Sequence, residues 1–124
     1  MPYLTYKLIH LLGIFALLVA LGGMAAHAAS GRSKKENPNH RTLLAFHGLG
    51  SVLALVGGFG LLARLNLEAQ GLLPGWIWAK VALWLLLGGM VALPYRKVGW
   101  ARALLVALPF LAFVGALLAV YKPL

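Results

Sequence analysis

Four side chains have a chemistry at odds with their surroundings: His10, His27, His47 and Lys80 each sit within or at the edge of a long apolar run. An ionisable group at the centre of a membrane span costs at least about 2.5 kcal/mol, so each is a candidate for function. Imidazole ligates metals, and two imidazoles at one depth on facing helices are what a bis-histidine haem needs. An ammonium can hold an anionic ligand or a cofactor propionate. Alternatively, the lysine stem can snorkel and carry the charge to the lipid head groups. His40 falls in a connection between apolar runs. No Asp or Glu lies within any of these runs, which argues against a carboxylate-based proton-coupled carrier. Met24 and Met90 read as packing rather than as copper ligands. The chain has no cysteine, hence no thiolate site. It also shows no hydrolytic triad pattern and no glycine-rich phosphate loop.

The elements that must position these groups are long. Of 124 residues, 62% are hydrophobic and 10% charged, against about 25% charged in a soluble domain. The apolar residues form four blocks, about 4–26, 43–63, 76–93 and 103–120. A spanning helix needs about 20 such residues to cross about 30 Å of hydrocarbon. The expected fold is therefore all-α: one membrane domain over residues 1–124, a bundle of four transmembrane helices. Ala26-His27-Ala28 resembles a signal-peptidase site, but Arg32, Lys34 and Lys35 follow it and resist export. The first block is accordingly expected to stay as a helix.

Charge sets the expected orientation. The net charge is +9, and most of it lies in short connections. Arg32, Lys34, Lys35 and Arg41 sit in the first connection, and Arg96, Lys97 and Arg102 in the third. These seven outweigh Lys7, Arg64 and Lys122 on the other side. Positive loops face the cytoplasm, so both termini are expected outside it. Such charge reports topology and lipid rather than nucleic acid, since no basic stripe with interleaved aromatics exists. Tyr3, Tyr6, Trp76, Trp78, Tyr95, Trp100 and Tyr121 cluster at block edges, as interfacial aromatics do. Gly22-Gly23, Gly57-Gly58 and Gly88-Gly89 mark expected close-packing points.

At about 1.5 Å per residue, His10 lies roughly 9 Å inside one face, and Lys80 lies about 6 Å inside the same face. They are placed to face one another or share an anionic ligand. His27 and His47 are expected together near the opposite face. Beside His47, the small residues Ser51, Ala54 and Gly58 form a row that would let a porphyrin plane approach the backbone.

With these positions in hand, a resemblance emerges. Lys7-Leu8-Ile9-His10, Gly-Phe-Gly-Leu-Leu at 58–62, Trp78-Ala79-Lys80-Val81-Ala82-Leu83 and the ending Val120-Tyr121-Lys122-Pro123-Leu124 carry it. The chain resembles the small membrane bundles that include HemJ-type protoporphyrinogen oxidases, CopD domains and SirB-like proteins. The arginine-rich start of helix 2 found in those oxidases is missing here. The resemblance implies haem or porphyrin chemistry at a helix-1 histidine and a helix-3 lysine, which by position are His10 and Lys80.

The expectation is thus a haem-b or porphyrin-binding redox protein of the bacterial inner membrane. Two iron-ligand arrangements stay open, one centred on His10 and one pairing His27 with His47. The alternative is a non-enzymatic small subunit or assembly factor, partnered by the bilayer and a larger membrane complex or a second copy. A small-solute or copper transporter ranks last, because the expected ligands and coupling groups are missing.

Overall fold

A computed structural model describes residues 3–65 and 75–121. Expectations resting on Glu68, on Leu73-Pro74 and on the Lys122–Leu124 ending lie outside the described residues, as do the side chains of Tyr3, Arg64 and Trp76. Among the described residues every regular element is helical: α1 (Tyr3–Ala29), α2 (His40–Leu65), α3 (Gly75–Gly89), α4 (Leu93–Arg96) and α5 (Ala101–Tyr121), with short 3₁₀ turns at Lys34–Glu36, Met90–Ala92 and Val98–Trp100. Four segments are long and apolar enough to cross a membrane: Leu4–Ala29, His40–Leu61, Ile77–Arg96 and Val98–Tyr121.

Each boundary has a local cause. α1 ends at Gly31, whose φ of +87° is open to glycine at no steric cost. The amide of Gly31 donates to the Ala28 carbonyl at 3.0 Å, closing the last turn. In the connection, Ser33 N–H and Oγ–H both donate to Glu36 Oε1, at 2.9 and 3.1 Å. These bonds, and then the nearby charge of Arg32, hold the Glu36 carboxyl below its usual range. Their contribution to the turn is present above the ordinary carboxylate pKa and is lost as pH falls through the lowered one. The third span does not run as one α-helix. It tightens to 3₁₀ at Met90–Ala92, then takes one α turn with Pro94 near its start. Pro94 has no N–H to continue a regular ladder.

α1 is the central helix. Leu17, Ala20, Leu21, Met24, Ala25 and Ala28 on it are buried, and Leu17 and Leu21 join Leu87, Met90 and Leu108 in the core. Met24 and Met90 are therefore packed among aliphatic side chains. The opposite stripe of α1, Leu4, Leu8, Leu12, Phe15 and Val19, is exposed, and so is the α5 stripe Val106, Phe110, Phe113 and Leu117. Rows of large apolar side chains at helical spacing suit hydrocarbon rather than water.

The tightest contact is the antiparallel seam between α1 and α2, and glycine makes it. A Cβ on Gly57 would lie 2.5 Å from the His10 amide nitrogen, and one on Gly50 would lie 2.7 Å from the Gly13 carbonyl. Gly13 likewise lies against Ala54 and Gly50, and Gly60 against the Tyr6 ring. Of the three expected glycine pairs, Gly57-Gly58 serves close packing, and Gly23 receives Leu43. Gly88 and Gly89 face nothing within 4 Å.

This contrast yields a test. Gly57→Ala should destabilise the detergent-solubilised protein by about 1–3 kcal/mol, because the backbones must part. Gly88→Ala should be neutral or mildly stabilising, since alanine is the better helix former. Thermal melts followed by circular dichroism compare the two, and equal effects would refute the seam.

Candidate functional site

His10 lies in that seam. Its Nδ1–H donates to the Ala54 carbonyl oxygen at 2.7 Å. That oxygen can only accept, so Nδ1 carries the proton in the neutral ring and Nε2 is left with its lone pair. Metal-ligating histidines are held in this way, with one nitrogen tied to a carbonyl and the other free for the metal. The ring is fixed further by Gly58, where an added Cβ would meet His10 Cε1 and Nδ1 at 3.4 Å. Lys80, on α3, is half-buried.

The row expected beside His47 has a different occupant. Ala54 and Gly58 face His10, so the space reserved for a flat cofactor is filled by α1. Ser51 turns inward on its own helix, with Oγ–H donating to the His47 carbonyl at 2.7 Å. The Ser51 carbonyl accepts the indole N–H of Trp84 at 3.0 Å, which ties α3 to α2. His47 Nε2 is buried without a hydrogen-bond partner.

His27 keeps other company than expected. The seam pairs Gly23 with Leu43 and Leu17 with Gly50. This register brings His40, not His47, to the level of His27. His47 lies two helical turns away, about 10 Å along the axis. His40, read from sequence as a loop residue, is the first residue of α2. Tyr95 joins the pair: its ring stands edge-on to both imidazoles, 5.8 Å from His27 and 5.9 Å from His40. Asn37 Nδ2 donates to Tyr95 Oη at 3.1 Å, and Tyr95 Oη is 2.8 Å from His27 Nδ1. His27 Nε2 is buried without a hydrogen-bond partner, as is His40 Nδ1.

His10 presents a lone pair at Nε2, whereas His27 has its Nδ1 engaged by Tyr95. Among the described residues no group of three or more His, Cys, Asp or Glu gathers as a metal cage. A site built on His10 has one protein nitrogen. Such a site suits a cofactor that brings its own donors, as a porphyrin does. Asn37 and Tyr95 escaped the sequence reading. Their only trace is Asn37-Pro38-Asn39, which reads as a turn, and Tyr95, which reads as an interfacial aromatic.

Tyr95→Phe should leave Asn37 and His27 without their shared partner, at a cost of about 1–3 kcal/mol for buried polar groups. Thermal melts of Tyr95→Phe, His27→Ala and the double variant check this: the double variant should cost less than the sum, and strict additivity would show that the bond is not coupled. Compared with protein-family models, with curated proteins and with solved structures, the chain matches none.

Proposed function

We propose that this chain is a membrane haem-b or porphyrin-binding protein with a redox role, similar to HemJ-type proteins, and that His10 would hold its iron. The observation that carries this reading is the 2.7 Å bond from His10 Nδ1–H to the Ala54 carbonyl. It orients the ring and leaves Nε2 as the donor atom. Lys80, which the resemblance pairs with His10, would supply the counter-charge for a propionate.

Haem b, when bound, supplies a one-electron Fe(III)/Fe(II) couple. The chain's own residues do the rest. Gly57 and Gly58 let α2 come close enough for the Ala54 carbonyl to reach the imidazole. The apolar helices keep water from the site and lower the local dielectric, which strengthens an ammonium–carboxylate contact. His27 is disfavoured as the ligand because its Nδ1 is engaged by Tyr95 and its Nε2 is buried. His47 is held in reserve as an unpartnered buried imidazole at a different level.

The protein is assigned to the bacterial inner membrane with both termini outside the cytoplasm. The support is the split of seven basic residues against three between the two sets of connections. A reporter fused after Leu124 should be active only where it works outside the cytoplasm. Activity of a strictly cytoplasmic reporter would invert the orientation.

For the cofactor, protein expressed with haem supplied should copurify with it at close to one per chain and show a b-type spectrum on reduction. His10→Ala should abolish that spectrum with helical content intact, while His27→Ala and His47→Ala should keep it. Lys80→Met should lower haem retention. It should be neutral or slightly stabilising if the lysine only snorkels. A colourless but folded protein would defeat the haem reading and leave the small-subunit alternative in its place.

A further inference from the structure

The strongest feature outside the His10 site is an open pocket of about 430 Å³ at the end of the bundle where α1 finishes and α4 turns into α5. Its walls include Arg32, Ser33, Lys34, Lys35, Tyr95 and Arg96. Arg32, Lys34, Lys35 and Arg96 all contribute to these walls, and no carboxylate is among the residues that line the pocket. Glu36, the acid of this connection, is engaged by Ser33. Glu36 lies near Arg32, but one acid against four cations leaves an excess of positive charge that an anion relieves. Tyr95, which forms one wall, is fixed from behind by Asn37 and His27, so that wall is rigid.

The position says which kind of anion. The pocket lies at the end of the apolar spans, beside Trp100, an exposed aromatic with the Lys97 ammonium 5.7 Å from its ring. Tryptophan prefers the head-group layer. Deeper along the bundle is a second, apolar depression of about 280 Å³ between α1 and α5, lined by Leu18, Gly22, Leu105, Leu108 and Pro109. Gly22 leaves it open: the nearest atom that an added Cβ would meet is Leu108 Cδ1, at 3.7 Å. Gly22 lies about 10 Å below the end of α1, well within the reach of an acyl chain. Basic pockets between helices at a membrane edge suit anionic lipid head groups.

We infer that the Arg32–Lys35 and Tyr95–Arg96 pocket is a binding site for a phosphate-bearing anion, the head group of an anionic phospholipid whose chain lies along the Leu18–Gly22–Pro109 groove. The four cations neutralise the phosphodiester and the groove takes the hydrocarbon. The site is separate from His10 and does not depend on any cofactor there.

The test uses the full chain in a neutral detergent, with melting followed by circular dichroism. Micelles are doped with long-chain phosphatidylglycerol or with phosphatidylcholine of the same chains, and sodium phosphate is titrated separately. Phosphatidylglycerol should raise the melting temperature and phosphatidylcholine should not. In Arg32→Gln combined with Arg96→Gln, the half-saturating lipid fraction should rise about fivefold for each cation removed. Arg102→Gln, which removes an exposed base outside the pocket, should leave it unchanged. Gly22→Leu, which fills the groove, should weaken the lipid but not inorganic phosphate. Protection by sodium phosphate that the pocket variants abolish would keep the site and make free phosphate its source. Equal responses to the two lipids, equal losses in Arg102→Gln and the pocket pair, or no response to lipid and phosphate alike would overturn the proposal.

Discussion

The close approach of α1 and α2 is the constraint on which the rest depends. Two helices normally pack 8–10 Å apart, held off by their side chains. Here Gly13 opposes Gly50 and Gly57 opposes the His10 backbone, so the helices meet where no Cβ intervenes. In a bilayer the hydrophobic effect does not drive helices together, so van der Waals contact between backbones becomes a main source of cohesion. The seam also has a chemical effect. A carbonyl oxygen inside a helix is usually spent on its own ladder. Only at this distance does the Ala54 oxygen receive a second donor, the His10 ring.

The polar groups of the bundle follow from the same economy. With no water at depth, each buried donor or acceptor must find a protein partner or a ligand. His10 and Trp84 solve this by donating to α2 carbonyls, each contact also fixing a helix in register. His27 solves half of it through Tyr95 and Asn37. The unpartnered nitrogens of His27, His40 and His47 lie along the α1–α2 pair from its loop end inward.

The loop end shows how electrostatics and packing divide the work. The seven cations of the two basic connections outnumber the two acids of the chain. Their arrangement is set instead by backbone devices: the Gly31 turn, the Ser33–Glu36 box and the Asn37 side chain, whose Oδ1 accepts the Asn39 amide at 2.9 Å. Asn37 reaches Tyr95 with its other end and so ties the first connection to the third span. The positive charge is thereby gathered into a shaped pocket at the membrane edge.

How much of this was legible beforehand varies with range. Block length and composition marked all four spans to within a few residues, because crossing hydrocarbon is a local demand that each segment meets alone. Depth along a helix is also local, and it put His10 and Lys80 at one level. The pairing of His27 with His47 failed for a long-range reason: depth counted from approximate helix ends ignores register, and a seam set by Gly13, Gly50 and Gly57 moved His40 into that place. Similarly, the row Ser51, Ala54 and Gly58 was readable as small residues, but not as the bed of His10 rather than of a porphyrin. By itself, the sequence determined that the chain is helical, how many apolar spans it has and where its charges lie, since these follow from each segment's own chemistry. Only the tertiary structure decided what the Nδ1 atoms of His10 and His27 bond to, because their partners are a carbonyl 44 residues away and a hydroxyl 68 residues away.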